Sequence, residues 1–572
     1  MKKTLALILA CLMLVSLMVG CASKPAETTP PADTTTEAPA ATDTPAEEPA
    51  DAPVDEPADE PAAIEVKEGD VAKDITAFDY NYFPIDEQVT LTLWKGYENQ
   101  HTNNDITKHS IVQWMEEKTN VHIDFETCSN ADAATKFNLM LTSGDLCDII
   151  NQFNQYYTST STHAVEEGLI YDMSDDIEEW MPNYNNLLKS SKQATQECKT
   201  DEGRLPVIWT LGSQLGDLDS EPIWYGMTYR QDWADALGFA KLETMAEWDA
   251  FLRAAKDTYN CEAALSIVNT VWDLTGDFIT AYDTYPEFFV RDGKVNYGPL
   301  TDGYKQAVQN MANWYADGLI DRDFTSVVFL GNDDKMHSDQ VAAEPTMWGM
   351  SGTQKKDIGQ VDVENWNLTP AACPVMNEGD TPKTSYAMRC IIKESNALAA
   401  EGGNVELAAR WLDQWYCYET CVRQFIGVEN ETFTYTADGD FQYLEGVGVY
   451  ETSAINMNDY GMVTASWGLY DFYNFDLSNQ ASNYHDSVHV WNVASTEEVM
   501  PSGMTLNAEE AEEYSSEYND ISTFVNENLL KFVTCQKPMS EYEDFIKTLN
   551  EGYDIARCIE LQQAAYDRYM AR

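Results

Sequence analysis

The stretch VTLTLW (Val89 to Trp94) alternates along its length and is rich in β-branched and aromatic residues, the pattern of a half-buried strand. Ile111 to Lys118 then carries helical periodicity, VHIDF (Val121 to Phe125) reads as a second strand, and Lys136 to Leu141 is helical again. Ser143, Gly144 and Asp145 break that helix before the apolar pair Ile149 and Ile150. Strand, helix, strand, helix, strand in close succession predicts a parallel sheet flanked by helices, class α/β. Ligands of such sheets belong beyond the carboxyl ends of the strands, which places them near Trp94 to Tyr97 and near Ile150 to Asn154.

Upstream, the chain starts with Lys2 and Lys3, an apolar run from Leu5 to Val19, then Gly20 and Cys21, the order of a secretory signal. Met18 to Cys21 resembles the lipobox of bacterial lipoproteins, with Met where Leu is usual, so Cys21 is the expected lipidated N-terminus. From Ser23 to about Ala63 the residues are almost entirely Pro, Ala, Thr, Glu and Asp. Such a segment cannot bury enough apolar surface to offset its ordering entropy, and it reads as an extended tether of about 3 Å per residue. No later stretch is long and apolar enough to span a membrane.

The formal net charge of the 572 residues is −61, which repels nucleic acid and anionic lipid. Ten cysteines follow Cys21 without a paired metal spacing. Cys417 and Cys421 stand four apart on one helical face, yet two thiols alone do not make a tetrahedral zinc site, so buried free thiols are expected. HDSVH (His485 to His489) has the spacing of a zincin motif with Asp for Glu, but the valines around it are poor helix formers and no third ligand follows. The chain has no GxSxG, Walker A loop or strand-linked GxGxxG. Neither a metal nor another cofactor is implied, and catalytic residues are expected to be absent.

Several further segments, taken in order, resemble the extracellular solute-binding proteins of ABC importers, in particular the long LplA-like lipoproteins of Firmicutes associated with oligosaccharide uptake. Trp114 to Val121 and Lys136 to Leu141 look like first-lobe helices, and Ser143 to Ile149 is similar to the family's SGDLPDI turn, with Cys147 for Pro. Gly168 to Asp172, Tyr229 to Trp233 with Leu237 and Gly238, and Glu247 with Trp248 continue the likeness. Trp314 to Asp321 with Asp323 and Phe324, then Gly427 to Glu431 with Asn430 for Gly, complete it.

The resemblance implies a two-lobed periplasmic-binding-protein fold of type II, each lobe a mainly parallel sheet flanked by helices, with a helical C-terminal part. The expected division is a signal peptide over 1–20, the tether over 21–63, first lobe over 64–227, second lobe over 228–370, a first-lobe return over 371–440, and second lobe with C-terminal helices over 441–572. Crossings are expected near Tyr225 to Arg230 and near Ala371 to Val375. The implied role is to capture an oligosaccharide outside the cell, as a lipid-anchored monomer, and to deliver it to permease subunits by lobe closure.

Sugars present apolar faces edged by hydroxyls, so a cleft for them wants aromatic platforms beside carboxylates and amides. The chain has 15 Trp and 31 Tyr to draw on. The candidate contacts are Trp94, Asp148, Asn151, Trp209, Tyr225, Trp272, Asp277, Trp348 and Trp467, with Trp491 in the same late aromatic stretch as Trp467. Packing in the core is the competing role for each Trp, and capping or loop hydrogen bonding for Asp148 and Asn151. Trp114, Trp180, Trp233, Trp248, Trp314, Trp411 and Trp415 follow helical patterns and belong to the core. Arg230, beside a crossing, fits a structural ion pair. The alternatives are a tethered glycosidase, which needs two carboxylates in one cleft, and a binder of peptides or cationic solutes, whose cleft would be dominated by acids.

Overall fold

A computed structural model describes residues 71–572, apart from 98–104, 214–217, 220–222, 224, 268–277, 327–334, 337, 348–366, 386–389, 437–440, 449–453, 462–466 and 472–489. The first sheet begins with β1 (Val89–Gly96), β2 (Val121–Cys128) and β3 (Ile149–Asn151), linked by the helices Ser110–Thr119 and Ala133–Ser143. β1 lies between the other two and runs parallel to both, as the alternation predicts. Gly144 ends the second helix at φ 71, a left-handed conformation that costs a glycine nothing.

After β4 (Ile208–Ser213) the chain leaves this sheet for β5 (Tyr225–Arg230), the hairpin β6 (Phe288–Arg291) and β7 (Lys294–Tyr297), β8 (Ala343–Met347) and β9 (Leu368–Pro370). β5 pairs antiparallel with both β8 and β9, and parallel pairing is added there by isolated bridges at Leu265 and between Thr244 and Val375. The chain then returns with β10 (Ile391–Leu398), the hairpin β11 (Phe433–Tyr435) and β12 (Phe441–Tyr443), the short pair β13 (Val447–Gly448) and β14 (Ile455–Asn456), and β15 (Leu469–Asp471). β10 inserts antiparallel between β3 and β4, giving a mixed six-stranded order β15-β4-β10-β3-β1-β2.

The two largest apolar cores among the described residues correspond to the two lobes. The first gathers Leu91, Leu93, Ile149, Tyr184, Trp411, Trp415 and Leu469; the second gathers Trp248, Phe251, Trp314, Ile320 and the face of the C-terminal helices around Val525, Phe545 and Cys558. Phe441, Val447, Met457, Trp467 and Leu469 pack in the first core, so the first lobe extends to β15 instead of ending at 440. The helix Met245–Tyr259 is closed by a capping box between Thr244 and Glu247, and Ala508–Val533 by one between Asn507 and Glu510. Trp114, Trp233, Trp248, Trp314, Trp411 and Trp415 are buried, while Trp180 is half-buried and stacked on Tyr171. The ten described cysteines are free thiols, Cys417 and Cys421 among the buried ones. No helix among the described residues is long and apolar enough to cross a membrane.

Candidate functional site

Among the described residues, three segments beside the connections between the lobes are tied to one another. The Ile223 amide donates to Asn492 Oδ1 at 2.8 Å, the Ser495 amide to the Pro382 carbonyl at 2.8 Å, and the Thr384 amide to the Ser495 carbonyl at 3.2 Å. Trp491, fully buried, lies against Gly226 so closely that a Cβ there would stand 2.6 Å from its ring. Residues 491–495 therefore act as the knot through which the other two crossings pass. Glu498 fixes the far side of that knot by pairing with Arg291 at 2.6 Å and Lys383 at 3.0 Å. Although burial works against ionisation, these two cations hold its carboxyl well down, at about 2. Gly226→Val is expected to lower stability by about 1–3 kcal/mol by displacing the indole; an unchanged melting temperature would show that Trp491 is not wedged there.

The carboxyl edge of the first sheet is polar and buried. Trp94 pairs with Ile150 and Asn151 with Asn396, so Lys95, Asn151 and Asn396 stand side by side on β1, β3 and β10. Lys95 Nζ donates to Asn151 Oδ1 at 3.2 Å, and Asn151 Nδ2 donates to Asn396 Oδ1 at 2.8 Å. The same ammonium lies 5.2 Å from the centre of the Trp467 ring, a cation–π contact. Burial lowers the Lys95 pKa to about 8, partly opposed by the Glu394 carboxylate.

The predicted site residues divide into three groups. Asn151 and Trp467 meet through Lys95, and Trp467 is itself buried, stacked on Phe125 and edge-on to Trp415. Trp209, half-buried, lies on β4 opposite Ser395, one residue further along the sheet than the Asn151 and Asn396 pair. Tyr225 opens β5 opposite Met347.

Trp94 is buried against Phe137 and Tyr156, with ring centres at 5.4 and 5.7 Å. Asp148 precedes β3, where its Oδ2 accepts from the Thr92 amide at 2.8 Å and the Thr92 hydroxyl at 2.9 Å, holding β3 against β1. Trp272, Asp277, Trp348 and the HDSVH segment lie outside the described residues. Arg230 is buried, bonded to Asp232 and Asp339, and stacked on Trp233 at 4.5 Å. Lys95 was not singled out from the sequence, although the parity of β1 puts it on the same face as Leu91 and Leu93.

Among the described residues, one group of acids has the spacing to hold a cation: Glu262, Asp321 and Asp323. Lys335 already occupies it, with Nζ 2.7 and 2.8 Å from the two Asp321 oxygens.

No family model matches the chain. FusA of Streptococcus pneumoniae, a fructooligosaccharide ABC transporter substrate-binding protein, is 22% identical over 522 residues, covering 86% of this chain and 92% of FusA. Among solved structures, the alginate-binding protein AlgQ2 superposes with a TM-score of 0.64 at 17% identity, over 85% of this chain and 99% of AlgQ2. An HMO-binding, ABC-transporter-associated solute-binding protein of Bifidobacterium longum infantis gives 0.64 at 16% identity, with the same coverages of 85% and 99%. The shared architecture is the two-lobed type II fold, here with a mixed first sheet and a helical C-terminal part.

Proposed function

We infer that this chain, a solute-binding protein of the ABC importer class, captures an oligosaccharide between its lobes and delivers it to membrane permease subunits. The observation that carries the reading is the likeness to FusA along almost the whole of both chains, joined to the same two-lobed fold. The relatives are substrate-binding proteins, which favours this over the glycosidase, and they bind saccharides, which favours it over a peptide or cationic ligand. Closure around a ligand is stabilised only by contacts that differ between the open and closed forms, so both lobes must contribute to the site.

From the first lobe the proposed contacts are Asn151, Trp209 and Trp467; from the second, Tyr225, Trp272, Asp277 and Trp348. Trp94 and Asp148 support this edge from within the lobe. The leader and Cys21 are the basis for proposing a diacylated anchor on the outer face of the cytoplasmic membrane, with the tether spacing a monomeric binding unit from the lipid.

A thermal-shift screen of the purified chain against oligosaccharides, peptides and polyamines tests the reading. A ligand at a hundred times its Kd adds about 2.7 kcal/mol to stability. A saccharide that stabilises the protein and is recovered intact supports the proposal; cleaved sugar, or stabilisation by peptides or polyamines alone, overturns it. Trp348→Ala is expected to weaken saccharide binding by about 1–3 kcal/mol, roughly ten-fold or more in Kd. Unchanged affinity would remove Trp348 from the site.

A further inference from the structure

We propose that the end of the C-terminal helix is a pivot between the lobes, a link made of side chains that acts with the knot at 491–495 to confine the lobes to rotation about one axis, a reading that rests on the lobe motion proposed above and on no particular ligand. The helix Ile555–Met570 runs for 16 residues, about 24 Å. Ile555 and Cys558, in its first turns, belong to the second core. At its other end, Arg568, Tyr569 and the following Arg572 meet the helix Lys192–Cys198 and the turn after it, which belong to the first lobe through Ala194 and Cys198.

The contact is dense and charged. Arg572 uses all five of its donors: Nε and Nη2 reach Asp201 Oδ1 at 2.9 and 2.7 Å, Nη1 the carbonyls of Gln196 and Gly503, each at 2.9 Å, and Nη2 the Thr505 hydroxyl at 3.3 Å. Arg568 joins the other Asp201 oxygen at 2.8 Å to Glu510, which it grips at 2.9 and 2.6 Å. Glu510 in turn closes the capping box of the helix Ala508–Val533. Glu197, buried, accepts from the Tyr569 hydroxyl at 2.9 Å and from the Gly503 amide. Gly503 has no room to move: a Cβ there would stand 2.5 Å from the Glu197 carbonyl oxygen.

When two lobes turn about their chain crossings, a side-chain link between them either lies on the axis and persists or lies off it and breaks. Breaking this one would strip partners from the Glu197 carboxylate and from an Arg572 side chain that is only 2% exposed, a strongly unfavourable step. The link therefore persists. With the knot it supplies two fixed regions, and a body held at two regions turns about the line through them. Opening and closing remain free, while twisting of one lobe against the other is blocked.

Amide hydrogen exchange, read by mass spectrometry on the purified chain without ligand, tests the pivot. The variants are Arg568→Met combined with Arg572→Met and, separately, Asp201→Asn, with rates taken relative to β1 and β2, which report opening of the first lobe as a whole. Expected is a rise of about ten-fold at 382–384 and 491–495 in the double variant, because the released twist falls on the knot, and a smaller rise there in Asp201→Asn. Asp201→Asn keeps the shape of a partly exposed side chain, so it decides the matter if the double variant does not fold. A rise confined to 192–203 and 501–507, an equal rise in β1 and β2, or no rise at all overturns the pivot. No sugar enters the experiment, so failure of the saccharide reading and failure of the pivot are separate results.

Discussion

Asp413→Ala is expected to lower the free energy of unfolding by about 3 kcal/mol, because it removes a helix cap supplied from another part of the chain. The helix Pro182–Ser190 opens with a proline, and its own cap residue, Met181, contributes no side-chain acceptor. Asp413, at the end of the helix Val405–Asp413, fills the gap: Oδ2 accepts from the Asn183 amide at 3.2 Å and Oδ1 from the Tyr184 amide at 2.9 Å. All three residues are buried, so alanine leaves two donors without water, each costing about 1–3 kcal/mol. Asp413→Asn keeps one acceptor and should cost about half as much.

Burial pushes the Asp413 carboxyl up to about 7, against the pull of those amides. The folded protein thus holds this proton more tightly than the unfolded chain does. That contribution is complete below about pH 4 and is lost as the pH rises through 7, so the margin of wild type over Asp413→Asn should shrink across that window in urea unfolding. Coincident unfolding curves for wild type and Asp413→Ala would discard the capping role. Loss of the cap should also reach the site, because the Tyr184 hydroxyl accepts from the Trp209 amide at 3.2 Å and the Tyr416 hydroxyl donates to the Trp209 carbonyl at 2.7 Å.

The elements that were legible in the sequence are those whose periodicity is local. β1, β2, β3 and the two helices between them follow from alternation, helical spacing and the Gly144 break. β10 did not announce itself as the antiparallel neighbour of β3, because pairing across such a separation leaves no period to read. The same reason explains β15: its three residues are too few for a pattern, and the sheet claims them through pairing with β4. Asn151 and Trp467 were singled out as candidates by residue type and position, but Lys95, which contacts both, was not. A lysine ordinarily reads as a solvated side chain, and contacts from other segments, Asn151 and the Trp467 ring among them, accompany the burial of Lys95. Arg230 was easier to read, since its partner Asp232 lies two residues away.

Between about pH 8 and 10.5, wild type is expected to gain up to about 3 kcal/mol in stability relative to Lys95→Met, whatever the difference at neutral pH. Burial holds the Lys95 pKa at about 8, below the ordinary lysine value of 10.5. In that window the unfolded chain still binds the proton that the folded protein has released, so stability rises with pH. Conversely, the charged amine penalises the folded state at all pH values below 8. Asn151 faces it from β3, Glu394 from β10 and the Trp467 ring from the segment before β15. Burial pushes the nearby Tyr470 phenol upward, which keeps it from titrating in the same range. Taking the difference between wild type and variant cancels the other tyrosines and cysteines that titrate at alkaline pH. Parallel stability curves would mean that the ammonium is not desolvated and would contradict the buried placement.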